Sequence, residues 1–221
     1  MGRTGAASTI MSTAQGTRKD EHMVKSFETE REWFRIDSCG MISCVGNPDD
    51  RFGEDALRIL IAMRFAFVCG LSIATETVKS IHKNKDRLLN IDEEHIRSEL
   101  CEMLAGKGVL NILLEYSDVM ATIIPELEPC IGFDQNNRFH EFTIYDHIAH
   151  AVANYGGTDS VVNVSLLLHD IGKPCCYTED HKGGHFYGHG VASHDLAEKV
   201  LSRLRFDNKS RDDIKSGNKL R

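Results

Sequence analysis

Residues 166–174, LLLHDIGKP, decide how this part of the chain folds. An apolar run leads directly into His169 and Asp170, and a glycine and a proline follow closely. The apolar run predicts a buried helix, and Gly172 and Pro174 are typical of residues that end one. A His-Asp pair at the end of a buried helix can direct an imidazole and a carboxylate at one point. The stretch therefore predicts a helix with a polar site at its C-terminal end.

Two more histidines flank this pair. His147 lies on a helix predicted for 143–155, 22 residues before His169, and His189 follows a loop that contains several glycines. Imidazole nitrogen together with carboxylate oxygen suits Mn, Fe, Co, Ni or Zn better than Ca. Such a metal lowers the pKa of a bound water and so supplies a nucleophile for phosphate esters. The spacing predicts a metal site at His147, His169 and Asp170; the alternative is that these are ordinary helix-surface histidines.

A second informative stretch is 45–58, VGNPDDRFGEDALR. It begins with a turn and helix-entry pattern, and Glu54, Asp55 and Arg58 then fall on the first turns of a helix predicted for 54–68. Asp55 and Arg58 are three residues apart and share a helix face. A carboxylate beside a guanidinium presents hydrogen-bond acceptors and donors in one plane, which suits the edge of a base. The alternative is an ordinary helix start, where the dipole favours acidic residues.

The first stretch resembles the central motif of the HD superfamily of metal-dependent phosphohydrolases, and His147 matches that family's first histidine. The resemblance implies a divalent metal (Mn, Co, Ni or Mg) on His147, His169 and Asp170. It also implies catalytic roles for His169 and Asp170, with Lys173 and His189 near the substrate phosphate. The family usually has one more aspartate ligand on a later helix. The available candidates are poorly placed in the sequence: Asp195, Asp207, Asp212 and Asp213.

The second stretch resembles the base-recognition motif of bacterial-type CCA-adding tRNA nucleotidyltransferases and their poly(A) polymerase relatives. The resemblance extends over about residues 35–208 and includes the His-Asp region, because some family members carry an HD domain there. It implies that Asp55 and Arg58 pair with the base of an incoming CTP or ATP, and that Glu54 braces Arg58. Arg51 and Arg64 are weaker candidates for phosphate or stacking contacts. The resemblance also implies tRNA as a partner.

The catalytic palm of that family normally precedes the base-recognition motif. It carries an Asp-x-Asp pair that binds magnesium for nucleotidyl transfer, and residues 1–44 contain no such pair. We therefore expect a chain that lacks the palm and the magnesium bound there, and that does not incorporate CMP or AMP alone.

Composition limits the class of protein. The formal net charge is -7 and hydrophobic residues make up 41% of the 221 residues, which is ordinary for a soluble globular protein and unlike one that coats DNA. No apolar run approaches the ~20 residues of a membrane span, so we expect no membrane association. The seven cysteines are scattered without a CxxC pair, which favours a reducing cytoplasm.

The predicted fold class is all-α, with helical neck and body segments followed by an HD-type helical domain. A short extended piece is expected near 175–185. The expected segments are a disordered leader (1–34), neck and body helices that bind RNA and nucleotide (35–127), a C-terminally truncated HD-type domain (140–208) and a basic tail (209–221).

Three hypotheses for function stay open at this point, and whether the chain is an enzyme stays open with them. The first is a fragment of a CCA-adding tRNA nucleotidyltransferase that carries an HD phosphohydrolase domain. The second is a free-standing HD phosphohydrolase that acts on phosphomonoesters or 2',3'-cyclic nucleotides. The third is a non-catalytic RNA-binding module.

Overall fold

The computed structural model describes residues 32–136, 142–181 and 183–219, with no side chains described after 216. In these residues the chain is mainly helical, which confirms a mainly α class, although two small sheets depart from the all-α prediction. The α-helices and strands, in chain order, are β1 (Phe34–Ile36), β2 (Met41–Cys44), α1 (Pro48–Glu54), α2 (Leu57–Val68), β3 (Ser72–Ile73), α3 (Thr75–Asn84), α4 (Glu93–Leu104), α5 (Val109–Glu115), α6 (Ser117–Ile123), α7 (Ile144–Tyr155), α8 (Ser160–Leu168), β4 (Thr178–Asp180), β5 (Gly183–His185), α9 (His189–Arg203) and α10 (Asn208–Lys219).

Short 3-10 helices lie at Lys85–Asn90, Pro125–Cys130 and Pro174–Cys176. None of the described helices combines the length and the apolar character that a membrane crossing requires. Most of the predicted leader, residues 1–31, lies outside the described residues.

Polar side chains at the helix starts explain several boundaries. Asp92 accepts a hydrogen bond from the backbone N–H of Glu94 and begins α4, while Thr143 does the same for Asp146 in α7. Asp159 accepts from two backbone N–H groups at the start of α8. These caps satisfy donors that have no partner within the helix, and they place α7 and α8, the two helices of the predicted metal site, where the sequence predicts them.

A small three-stranded sheet lies at the N-terminal side of the described chain. β1 pairs antiparallel with β2, and β2 pairs parallel with β3. The strands have two to four residues each, too few for the alternation that predicts a strand, and the sequence analysis did not predict them. β4 and β5 form a hairpin within 175–185, where an extended piece was expected.

The helix predicted for 54–68 begins at Leu57 in the structure, and Glu54 is the last residue of the separate helix α1. Asp55 separates α1 from α2 with an extended backbone (φ −152°, ψ 109°), and its Oδ1 accepts a hydrogen bond of 2.9 Å from the N–H of Leu57. Aspartate readily makes this local bond in place of a helical one. Glu54 thus ends one helix and Arg58 lies at the start of the next.

One continuous hydrophobic core extends from Trp33 to Ile214. Helix α2 lies at its centre, with every residue from Ile59 to Phe67 buried, and it packs against α4. α4 in turn contacts α8, and α5 contacts α7. The helices that carry the predicted nucleotide and metal sites therefore share one interior.

Residues 208–219, expected as part of a basic tail, form helix α10 instead. α10 packs on α8 and α9, and Ile214 is completely buried. Arg211 and Lys215 both ion-pair with Glu198 of α9, the latter at 2.8 Å. One buried apolar residue and charges matched to α9 hold the segment on the protein, although its composition resembles a solvated tail.

Candidate functional site

Two helices bring the predicted metal ligands together, and a third helix carries His189. His147 lies on α7, and His169 and Asp170 directly follow the last residue of α8. α7 and α8 pack against each other, and the chain between them turns at Gly156, whose φ of 58° is a conformation that favours glycine. His189 is the first residue of α9.

The ligand atoms of the predicted site converge on one point. Nε2 of His169 lies 3.3 Å from Nε2 of His147 and 3.1 Å from Oδ2 of Asp170, and Nε2 of His147 lies 3.4 Å from the same oxygen. Nitrogen and oxygen ligands at about 2.1 Å around one tetrahedral ion are about 3.4 Å apart. The separations in the structure fit three ligands of a single transition-metal ion, and the three residues form a group able to hold one.

The second nitrogen of two of these rings is fixed by the backbone. Nδ1 of His169 is 2.7 Å from the carbonyl oxygen of Leu166, and Nδ1 of His189 is 2.7 Å from that of Phe186. Because a carbonyl only accepts, each Nδ1 carries a proton there, and the Nε2 of each ring is the atom that faces the group. Nε2 of His189 is 3.7 Å from Oδ1 of Asp170, so this ring faces the other oxygen of the carboxylate.

Asp170 is the buried centre of the group. Burial raises the pKa of its carboxyl, but the hydrogen bond from His169 and the ammonium of Lys173, 2.8 Å from Oδ2, outweigh burial and hold the pKa well below its usual range. The Lys173 ammonium also donates to Oε1 of Gln135 at 3.0 Å and lies over the Phe186 ring. The carboxylate is therefore ionised and ready to bind a cation.

The turn after the His-Asp pair depends on a contact that the sequence analysis missed. The N–H of Gly172 donates a 3.0 Å hydrogen bond to Oγ of Ser193, a completely buried residue of α9. A Cβ on Gly172 would lie 2.4 Å from the backbone nitrogen of Ser193. Glycine is needed here because the two backbones approach closely, and a lone serine on an amphipathic helix gives no sign of that contact.

The four aspartates considered as a further ligand have other surroundings. Asp195 ion-pairs with His194, Asp207 binds Ser210 at the start of α10, and Asp212 pairs with Lys215. Asp213 is exposed on α10. Within the described residues, the group consists of two imidazoles and one carboxylate, with His189 beside it.

The predicted nucleotide-contacting residues form an exposed cluster in the N-terminal part of the described chain. The carboxylate of Glu54 binds Arg58 at 2.6 Å and Arg51 at 2.8 Å. Their hydrogen bonds hold the pKa of Glu54 below its ordinary value. The Arg58 guanidinium also lies 5.6 Å from the centre of the Trp33 ring. The structure thus brings together Glu54, Arg51 and Arg58, with Asp55 exposed in the break between the two helices.

Arg64 has different surroundings from those of this cluster. Its side chain is 5% exposed and binds Glu99 at 2.6 Å and Glu102 at 3.2 Å. Two carboxylates from α4 occupy the guanidinium, and Arg64 therefore joins α2 to α4 in the interior. Arg64 is therefore not part of the proposed nucleotide site.

Part of the chain matches a known protein family. Residues 70–131, from just before β3 to just after the second 3-10 helix, match the family model described as the probable RNA and SrmB-binding site of polymerase A. These matches support the CCA-adding enzyme and poly(A) polymerase family as the one that the chain resembles. This confirms the family that the 45–58 motif indicates.

Three family members illustrate the extent of the similarity. The A-adding tRNA nucleotidyltransferase of Deinococcus radiodurans is 27% identical over 172 residues, or 71% of this chain and 39% of that protein. The multifunctional CCA protein of Nitrosococcus oceani is 30% identical over 164 residues, or 70% of this chain and 39% of that protein. The CCA-adding enzyme of Limosilactobacillus reuteri is 43% identical over 76 residues, or 34% of this chain and 19% of that protein. The chain spans about two fifths of the length of the first two relatives.

Proposed function

We propose that the chain supplies the tRNA- and nucleotide-contacting helices of a CCA-adding tRNA nucleotidyltransferase, together with an HD-type site that hydrolyses phosphate esters. The observation that carries the second part is the convergence of His147, His169 and Asp170, whose ligand atoms all lie within 4.8 Å of one another. Similarity to the family carries the first part. A cytoplasmic location and a role in tRNA 3'-end processing belong to the same proposal.

The donor set of the His-Asp group fits a resident divalent metal. Two imidazoles and one carboxylate suit Mn, Co or Ni better than they suit an ion that prefers oxygen ligands alone. A bound metal would supply Lewis-acid activation of water and phosphate. The metal would be held by His147, His169 and Asp170. Lys173 keeps the Asp170 carboxylate ionised, and Nε2 of His189 faces Oδ1 of the same carboxylate. Lys173 and His189 are the candidates to bind the substrate phosphate.

Metal binding and phosphate release test this site together. Purified protein is titrated with Mn, Co, Ni or Mg in a calorimeter and then assayed with 2',3'-cyclic AMP and with ribose 5-phosphate, with EDTA as the blank. We expect one metal per chain and metal-dependent hydrolysis. Both should disappear in the double variant His169→Ala/Asp170→Ala and persist in His150→Ala, a matched loss of a histidine on α7. Equal metal binding by the double variant would refute the proposed site.

The exposed Glu54 cluster is the proposed contact for the base. Glu54 holds Arg58 through a 2.6 Å ion pair, and the resemblance assigns Asp55 and Arg58 to the base of CTP or ATP. Arg58 keeps donors for a base because its guanidinium has five N–H groups. Asp55 keeps an acceptor, since only its Oδ1 is bonded to the Leu57 N–H.

Ligand-observed NMR tests the base contact directly. We expect saturation transfer from the protein to the base protons of CTP and ATP, weaker transfer to those of UTP, and its loss in Arg58→Lys, because lysine cannot present a planar fork of donors. The matched control is Arg87→Lys, on the first 3-10 helix. Equal signals for CTP in wild type and Arg58→Lys would remove Arg58 from the proposed site.

Two narrower functions have observations in their favour. The described residues of the metal group span only 147–170, which would suit a free-standing phosphohydrolase. The family model over 70–131 would suit a non-catalytic RNA-binding module. Filter binding of tRNA at several salt concentrations separates them. Binding that weakens with salt but occurs without hydrolysis indicates the module, and hydrolysis without tRNA binding indicates the free-standing enzyme.

A further inference from the structure

An aromatic side chain lies in solvent beside the metal group. Tyr187 has 78% of its surface exposed, more than any other large apolar or aromatic residue in the described ranges. Aromatic rings contribute most to stability when they are buried, so a ring left in water at this position is not explained by folding. The preceding residue, Phe186, lies against the ammonium of Lys173, and His189, two residues later, faces Asp170.

The exposed ring is held in place from one side. The rings of His185 and Tyr187 stack with a centroid separation of 5.4 Å and an interplanar angle of 17°. His185 belongs to the β4–β5 hairpin, and its Nε2 lies 3.0 Å from Oδ1 of Asp180 on the paired strand, although the angle does not make a hydrogen bond. Because His185 covers one face and most of Tyr187 is exposed, the opposite face is open to solvent.

The position of this ring relative to the metal group follows from the chain. Only Gly188, with φ of +80°, separates Tyr187 from His189. Two virtual bonds of 3.8 Å place the two Cα atoms at most about 7.6 Å apart. His189 is fixed by the carbonyl of Phe186 and faces Asp170. Tyr187 therefore lies in the segment that leads directly into His189, with a Cα atom within about 7.6 Å of a residue that faces the site.

We propose that Tyr187, supported by His185, is a stacking platform for the base of a nucleotide whose phosphate lies at the His-Asp site. The inference rests on the proposed function and narrows its substrate to phosphate esters that carry a nucleobase. Phosphate and base differ in what they need: a phosphate needs the cationic and metal-binding groups, and a base needs a flat aromatic surface. Both kinds of group are present here, the aromatic ring two residues before His189 in the chain.

A small phosphomonoester would leave this surface unused. Stacking on an aromatic side chain also accepts every base, because each base has a π-face. We therefore expect Tyr187 to distinguish nucleotides from base-free sugar phosphates and to discriminate little among the four bases. Val191, four residues after the ring and in the first turn of α9, is a second exposed apolar side chain in this segment, at 70%.

Binding measurements without catalysis test the platform. Adenosine 3'-monophosphate and ribose 5-phosphate are titrated into the full chain in EDTA, and saturation transfer is recorded for the ligand protons. We expect strong transfer to the adenine H2 and H8 protons and roughly tenfold tighter binding of the nucleotide than of the sugar phosphate. The difference should vanish in Tyr187→Leu, which keeps an apolar side chain without a ring, and persist in Tyr187→Phe.

The outcomes separate this inference from the proposed hydrolysis. Equal affinity of wild type and Tyr187→Leu for the nucleotide, or silent adenine protons, overturns the platform even if phosphate release is observed. Loss of the adenine signal in Tyr187→Leu supports it even if no metal gives hydrolysis. In metal-loaded protein, Tyr187→Leu should raise the KM for 2',3'-cyclic AMP roughly tenfold and leave that for ribose 5-phosphate unchanged.

Discussion

The His-Asp group and the Glu54 cluster are both built around a carboxylate that binds more than one basic side chain. The side chains of Asp170, His169 and Lys173 are 5–8% exposed, whereas those of Glu54, Arg51 and Arg58 are 21–48% exposed. In the interior, each charge depends on its partner, since water cannot replace the partner. At the surface, water screens the pairs and replaces them at little cost. The same contacts thus make one site rigid and leave the other adaptable.

The largest expected effect comes from breaking the buried group. Asp170→Ala leaves the Lys173 ammonium buried with only Gln135 as a hydrogen-bond partner. We expect a loss of about 3 kcal/mol in the free energy of unfolding, at the lower end of the cost of an unpaired buried charge, measured by urea denaturation in EDTA.

A second variant separates charge from packing at this position. In Asp170→Ala/Lys173→Met both charges are removed, and most of the lost stability should return. If the double variant is as unstable as the single one, the effect comes from lost packing and the contrast in electrostatics between the two clusters is incorrect.

Two glycines extend the comparison to the backbone. Gly172→Ala forces a Cβ against the backbone of Ser193 and should cost about 1–3 kcal/mol, with a weaker metal affinity because α9 must move. Gly53→Ala, in the exposed helix α1, meets nothing within 4 Å and should gain about 0.5–1 kcal/mol. Thermal unfolding of the two variants measures the loss and the gain of stability, and metal titration measures the affinity of each for metal. Equal effects would contradict the close approach at Gly172.

The ion pair between Glu126 and Arg203 joins the second 3-10 helix to α9 and should respond to pH. Burial raises the pKa of Glu126, but the two hydrogen bonds from Arg203, of 2.8 and 2.7 Å, lower it further than burial raises it. A lowered folded-state pKa stabilises the protein above the ordinary value of 4.5, and this contribution is lost as pH falls through the folded-state pKa.

Acid unfolding of Glu126→Gln checks this dependence. The variant should be less stable than wild type by under about 1 kcal/mol at pH 7, and the difference should shrink as the pH falls below 4.5. Glu128→Gln, on the same 3-10 helix, is the matched control and should follow wild type. A difference that stays constant from pH 7 to pH 3 would show that the carboxylate charge is not responsible.

The smallest effect on stability is expected at the exposed cluster. Glu54→Gln removes the carboxylate that Arg51 and Arg58 share, and we expect the urea midpoint to remain close to that of wild type because water replaces the pair. The binding of CTP should weaken nevertheless, since Arg58 loses the group that orients it. A large drop in stability with unchanged CTP binding would reverse the contrast between the two clusters.

The grouping of His147, His169 and Asp170 could be predicted because each residue has a local signal. His169 and Asp170 follow an apolar run that ends at a glycine, and His147 lies on a helix with a recognisable cap. The order and type of the helices around them follow from the same periodicity. Local patterns of this kind can be recognised in the sequence without knowledge of which helices pack together.

Features that depend on contacts between side chains and other segments of the chain could not be predicted in this way. Ser193 supports Gly172 from a helix 21 residues later, and the break at Asp55 depends on one side-chain bond to Leu57. Helix α10 is stabilised by a single buried isoleucine and by Glu198. Its composition indicates a tail, because the partners that hold it lie on other elements.

The attachment of α10 has a consequence for how fast a metal could leave. α10 packs on α8, and two of the three proposed metal ligands, His169 and Asp170, directly follow α8. Apart from Ile214, its contacts are largely exposed ion pairs, so its local opening should need much less free energy than global unfolding. Amide protons in the last turn of α8 should therefore exchange at a rate set by the detachment of α10. High salt, which screens the pairs with Glu198, should then accelerate both this exchange and the release of metal to a chelator.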